Sequence, residues 1–187
     1  MITLRFDGLY RAFSEDQSAQ SHAGVMCYGW VIERVRTPVA RGHGGYARRE
    51  EASSNNAEYL GLIEGLSALC DMGCEGEAIE VIGDARSVIE QMQGSAAVNS
   101  PSTRPLYRRA LRLAGRFKRM RWTWTPRRKN HEADLLTRRA MRQIAANPTQ
   151  YRAAIRAVED PSVPRRKYTY LFSLLDLRIY QPLGLRV

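Results

Sequence analysis

Apolar positions along this chain recur with two periods, and the switches between them outline the fold. Ile2, Leu4 and Phe6 alternate with Thr3, Arg5 and Asp7, the pattern of a half-buried strand that closes near Asp7-Gly8. From Ala23 to Glu33, Val25, Cys27 and Val31 occupy one face and Met26, Tyr28, Trp30 and Ile32 the other, so this strand is expected to be central. A weaker strand over Val35–Tyr46, with Pro38 and three glycines, reads as an edge. The period then becomes helical. Leu62, Ile63, Leu66, Leu69 and Cys70 form one stripe between a Ser/Asn-rich start before Ala57 and a stop at Gly73. Glu58 projects from the stripe's own face, one turn before Leu62, where a carboxylate requires a rim position or a positive neighbour.

The remaining elements follow the same logic. Residues 78–83 are a short strand ending at Asp84, and Val88, Ile89 and Met92 mark a brief helix stopped by Gly94. Ser100-Pro101 is expected to open another helix, with Leu106, Ala110, Leu113 and Phe117 inward. Met120, Trp122 and Trp124 alternate in a last strand and read as core. Asn130 is expected to cap a helix carrying Asp134 in its first turn and Ala133, Leu136, Ala140 and Ile144 inward. The order β-β-β-α-β-α-α-β-α is mixed α/β, with a meander followed by a parallel portion. Residues 1–146 form the expected domain. Residues 147–187 form an extension: a short helix over Tyr151–Glu159, a basic linker containing Arg165, Arg166 and Lys167, and an aromatic run over Tyr168–Tyr180 that must pack on the domain or on a second copy.

Charge sharpens this picture. Residues 1–100 carry 8 Arg and 14 acids (−6), and residues 101–187 carry 21 Lys or Arg and 5 acids (+16), which together give the net +10. A basic half of this kind suits a polyanion partner. Arg104, Arg108 and Arg112 on the third helix and Arg127, Arg128, Lys129 and Asn130 before the last are its candidate contacts. No apolar run approaches the length of a membrane span, the start does not resemble a signal peptide, and three cysteines without metal-ligand pairing suit a reducing compartment. No membrane partner and a cytoplasmic location are therefore expected.

Four carboxylates stand at comparable places: Asp7 on the first strand, Glu58 opening the first helix, Asp84 past a strand and Asp134 opening the last helix. Groups at element ends of an open α/β sheet converge, and a cluster of hard oxygen donors suits Mg²⁺, or Mn²⁺, with two ions serving phosphodiester cleavage.

The motifs Phe6-Asp7-Gly8, Ser53-Ser54-Asn55-Asn56-Ala57-Glu58-Tyr59, Val81-Ile82-Gly83-Asp84-Ala85-Arg86 and Arg127-Arg128-Lys129-Asn130-His131-Glu132-Ala133-Asp134-Leu135-Leu136 occur in order. In this set the chain resembles a ribonuclease H of the compact type found in archaea, bacteria and plants. The resemblance implies a ribonuclease H-like fold: a five-stranded mixed sheet, three antiparallel strands first, flanked by helices and followed by the C-terminal extension. It implies hydrolysis of the RNA strand of an RNA–DNA hybrid, with Asp7 bridging two ions, Glu58 and Asp84 on the leaving-group side and Asp134 on the nucleophile side. Ser54 and Asn55 would reach RNA 2′-hydroxyls. The chain departs from the pattern in Leu9 and Tyr10 after Asp-Gly, in a longer first loop, in Ser53-Ser54-Asn55 where Thr-Asn-Asn is usual, and in the run Trp124 to Lys129, which holds no counterpart of the histidine that many members carry before the last aspartate. His131 reads as a surface residue at a helix start. Two alternatives stay open: a catalytically silent hybrid- or duplex-binding module, and a related nuclease acting on DNA or structured RNA. Homodimerisation through the extension is a further option.

Overall fold

The computed structural model describes residues 1–12, 23–48, 51–147, 151, 156 and 169–175. Its elements are β1 (Ile2–Ala12), β2 (Gly24–Arg34), β3 (Thr37–Arg48), α1 (Ser54–Asp71), β4 (Ala78–Gly83), α2 (Arg86–Gln93), α3 (Arg104–Ala114), β5 (Arg119–Trp124), a 3-10 turn (Arg127–Lys129), α4 (His131–Ala146) and β6 (Thr169–Leu175). The strands make one sheet in the order β5-β4-β1-β2-β3-β6. β1, β2 and β3 form the antiparallel meander, β4 lies parallel to β1, and β5 lies parallel to β4. Residues 1–146 thus supply the five expected strands.

Two apolar layers hold the sheet. Leu4, Phe6, Met26, Tyr28, Trp30 and Ile32 pack with Leu62, Ile63, Leu66, Leu69, Val88, Leu106 and Ala110 from α1, α2 and α3. Val25 and Cys27 pack on Ala140 and Ile144 of α4 and on Tyr151. β2 is therefore sandwiched, as apolar residues on both of its faces require. The Ser53 hydroxyl accepts from Asn56 N–H at 3.1 Å, which caps α1, and Gly73 at φ +68° ends its last turn.

Four readings need correction. β1 does not close at Asp7-Gly8 but pairs with β2 as far as Ala12↔Gly24, so Asp7 sits mid-strand. Val35 and Arg36, read as the start of β3, are the β2–β3 hairpin turn, with φ of 52° and 63°. α3 begins at Arg104, because Ser100–Thr103 is spent on a turn in which Thr103 and Arg104 both donate to the Ser100 carbonyl. β3 is not the edge of the sheet, since β6 from the extension pairs antiparallel with it from Gly42↔Leu175 to Ala47↔Thr169. The first loop, the basic linker and most of the Tyr151–Glu159 segment lie outside the described residues.

Candidate active site

β4 pairs with β1 only as far as Phe6↔Gly83. One residue further on, Asp7 and Asp84 stand where the parallel neighbours part, the usual position of a ligand site in such sheets. Glycines then let two helices close in. A Cβ on Gly8 would run into the backbone of Ala57 and Glu58, and one on Gly61 would lie 2.7 Å from the Asp7 carbonyl oxygen, so α1 can meet β1 only because both lack one. Gly29, the cross-strand partner of Asp7, gives α4 the same access: a Cβ there would lie 2.6 Å from the Ala133 carbonyl. The approach places Glu58 of α1 beside Asp7, and Thr137 of α4 donates to the Asp7 carbonyl at 3.4 Å.

Carboxylate oxygens of Asp7, Glu58 and Asp84 all lie within 4.8 Å of one another. Asp7 and Glu58 are buried, 1% and 9% exposed, and Asp84 is half-buried. Asp7 Oδ2 and Glu58 Oε2 are inaccessible yet have no hydrogen-bond partner among the described residues. Burial raises the Asp7 carboxyl from 3.8 to about 6; a hydrogen bond from Thr137 opposes the rise and the Asp84 charge adds to it. Burial also lifts Glu58 well above the ordinary range, reinforced by Asp7 and Asp84 and opposed by a hydrogen bond from Gly8 N–H. Orphaned carboxylate oxygens packed this closely are costly unless a cation joins them. The donor set, hard oxygen throughout, fits a divalent ion, so Asp7, Glu58 and Asp84 are the residues that would hold one.

Asp134 stands outside this trio. Arg127 donates to its Oδ1 through Nη2 at 2.6 Å and through Nε at 3.2 Å, and Arg138 Nε donates to Oδ2 at 2.7 Å. Burial works against its charge, but the two guanidiniums prevail and hold the carboxyl below the usual range. The pull is mutual, since the hydrogen bond to Asp134 raises Arg127 in turn and Asp7 and Asp84 add to it.

Asn130 is corrected from a nucleic-acid contact to an internal strut. It is fully buried, and its amide NH₂ donates to the Phe6 carbonyl at 2.7 Å and to Asp84 Oδ1 at 2.7 Å. It stands at the start of α4, but its side chain makes no capping bond. Trp124 is corrected from core to surface: it is 46% exposed, and its indole N–H donates to the Asp84 carbonyl at 3.1 Å. The other candidates keep outward places. Ser54 is exposed, and Asn55 accepts from Ser87 Oγ at 3.0 Å. Arg104, Arg108 and Arg112 are exposed on α3, with Arg104 donating to the Val98 carbonyl at 3.2 Å. Arg128 and Lys129 are exposed on the 3-10 turn, and His131 is exposed at the first residue of α4. The Asp84–Asn130 bond joins residues far apart in sequence and left no sequence signal, whereas Arg138 stands four residues after Asp134, a helical pairing that spacing alone could have found.

The family model described as "Reverse transcriptase-like" matches residues 7–140. The bifunctional protein Rv2228c of Mycobacterium tuberculosis is 38% identical over 157 residues, which cover 80% of this chain and 41% of that protein. The chain thus spans less than half the length of that relative. The solved N-terminal RNase H domain of Rv2228c, a fusion with maltose binding protein, superposes with a TM-score of 0.66 at 31% identity, over 79% of this chain and 97% of that one. Ribonuclease HI of Halobacterium salinarum is 32% identical over 126 residues, 67% of this chain and 61% of that protein. The crystal structure of RNase H1 from that archaeon gives a TM-score of 0.61 at 31% identity, covering 76% of this chain and 98% of that one. With the matched segment spanning all four carboxylates, the chain belongs to the reverse transcriptase-like family and, within it, to the ribonuclease H homologues.

Proposed function

We propose that this protein is an endonuclease that hydrolyses the RNA strand of RNA–DNA hybrids, using two Mg²⁺ ions, with Mn²⁺ as a substitute. The observation that carries the reading is the trio Asp7, Glu58 and Asp84, two of whose buried oxygens have no hydrogen-bond partner among the described residues. Divalent ions bound there would activate the attacking water and stabilise the leaving oxygen. The chain's own residues prepare that chemistry. Asn130 fixes one oxygen of Asp84 and so aims the carboxylate at Asp7 and Glu58. Arg127 and Arg138 keep Asp134 ionised, so the fourth carboxylate would be available as a further ligand or proton acceptor on the nucleophile side.

Substrate contacts would come from polar and basic side chains outside the trio. Ser54 and Asn55 at the start of α1 would test for 2′-hydroxyls, the groups that separate an RNA strand from DNA. The exposed Arg104, Arg108 and Arg112 of α3, and Arg127, Arg128 and Lys129 of the 3-10 turn, would supply positive charge for phosphates. Retention of the whole carboxylate set argues against a silent binding module. The proposed boundary lies between residues 146 and 147, with the extension adding β6 to the β3 edge; the rest of the extension is proposed as the surface through which two copies would associate. Among the described residues no helix is long and apolar enough to cross a membrane; a cytoplasmic location is part of the proposal.

The test is a panel of end-labelled hybrid, duplex RNA, duplex DNA and single strands, each with Mg²⁺ or EDTA. Cleavage confined to the RNA strand of the hybrid, and abolished by EDTA, is expected. Comparable cleavage of duplex DNA would move the protein to the DNA-nuclease alternative.

A further inference from the structure

Trp124 is where the structure departs most from economy. Of the three tryptophans, Trp30 is 1% exposed and Trp122 is half-buried, while Trp124 leaves 46% of its surface bare. It ends β5 opposite Gly83 of β4, and Thr125 N–H donates to the Gly83 carbonyl at 3.0 Å, so the strand holds the residue firmly. The indole N–H is spent on the Asp84 carbonyl at 3.1 Å, which sets the ring's direction and ties it to a residue of the carboxylate trio. Over the ring lies Arg86, its guanidinium carbon 5.9 Å from the ring centre. Arg86 is itself held by Glu90 at 2.6 Å and remains largely exposed.

An indole so firmly placed and still 46% exposed is a poor way to stabilise a strand end, since bare aromatic surface gains nothing in water. It is a good way to present a flat apolar face beside a reaction centre. The indole bonds the backbone of Asp84, so the ring stands next to one of the three residues at which a scissile phosphate would sit. We propose that Trp124 and Arg86 form a substrate platform, the indole packing on the sugar and base of a nucleotide flanking the scissile phosphate and Arg86 pairing with a phosphate beside it. The proposal rests on the hybrid-cleavage reading and adds to it a specific contact on the β5 and α2 side of the site.

Two substitutions separate a ring that touches substrate from a ring that only positions Asp84. Trp124→Phe keeps an aromatic face but removes the N–H, and Trp124→Leu removes the face as well. Loss of the Asp84 tether lowers kcat alike in both. Loss of the platform raises KM for hybrid about tenfold in Trp124→Leu, as expected for one stacking contact, and less than about twofold in Trp124→Phe. Arg86→Gln should weaken hybrid binding and lower the slope of log Kd against log salt by about one. Tryptophan fluorescence supplies a readout that needs no turnover: adding hybrid in EDTA should quench the exposed tryptophan of the parent, and Trp124→Phe should abolish that quenching. Cleavage by the parent checks the hybrid reading by itself, while the quenching arm judges the platform, so the two fail separately. An unchanged KM in Trp124→Leu, an equal rise in both variants, or quenching that survives Trp124→Phe would overturn the platform.

Discussion

Replacing Asp7 by Asn should abolish cleavage and yet stabilise the metal-free protein, by an amount that depends on pH. The Asp7 carboxyl ionises near 3.8 in an open chain and near about 6 in the fold. That separation is worth about 3 kcal/mol at roughly 1.4 kcal/mol per pH unit. Below pH 3.8 both states keep the proton and the contribution is fully present. Between 3.8 and about 6 the folded state holds a proton that the unfolded state has released, so stability falls as pH rises, and above about 6 the loss is complete. An asparagine does not titrate and escapes this loss. Its gain over the parent should therefore be about 1 kcal/mol at pH 4.5 and approach about 3 kcal/mol at pH 7.5, less whatever its unpaired amide hydrogens cost. For a chain of this length each kcal/mol moves Tm by about 2–4 °C, so a rise of about 6–12 °C is the ceiling at pH 7.5. Melts in EDTA at both pH values measure it. Adding Mg²⁺ should raise the parent's Tm and narrow the difference, because the parent binds the ion when folded and the variant has lost a ligand. An equal gain at both pH values, or none at pH 7.5, would show that the buried charge is not what strains the cluster.

Four further outcomes are expected. Asn130→Ala should destabilise by about 1–3 kcal/mol in chemical denaturation, because the Phe6 carbonyl loses its amide partner inside the core, and should reduce kcat by freeing Asp84. Arg127→Ala should leave stability nearly unchanged, since that guanidinium is largely exposed, but should tighten Mn²⁺ binding measured by calorimetry by removing a competing cation. Substituting Val35→Asn with Arg36→Gly should stabilise by about 1–2 kcal/mol in a thermal melt, because both turn residues hold positive φ and neither parent side chain favours it. A chain ending at Asn147 should lose β6 from the β3 edge, show a lower Tm and shift from a two-copy to a one-copy mass in light scattering, with a shallower salt dependence of hybrid binding from the loss of Arg165, Arg166 and Lys167.

What the sequence made legible was whatever repeats at short range. The alternation in β1 and β2, the stripe of α1 and the stop at Gly94 stand in the structure as the periods imply, because each reports burial of one residue against its own near neighbours. Turns were harder. Val35-Arg36 carries none of the usual turn residues, so nothing marked it as a hairpin, and Ser100-Pro101 carried helix-start chemistry that the chain uses for a turn. At the site, the identity of three clustered acids was legible from their places at element ends. The division of labour among side chains was not. That Asp134 is clamped by Arg127 and Arg138, that Asn130 braces Asp84, and that Trp124 turns outward all follow from contacts between α4, β5 and the ends of β1 and β4, which no local pattern encodes.

The most direct test is the rate of hybrid cleavage against Mg²⁺ concentration for the parent and for Asp84→Asn, each first checked for native folding by circular dichroism. Cleavage by the parent that rises from nothing in EDTA and saturates with Mg²⁺, with none above background for Asp84→Asn at any concentration, is the expected result. Parent cleavage that persists in EDTA, or an Asp84→Asn protein that cuts hybrid at the parent's rate, would contradict a metal site built on Asp7, Glu58 and Asp84.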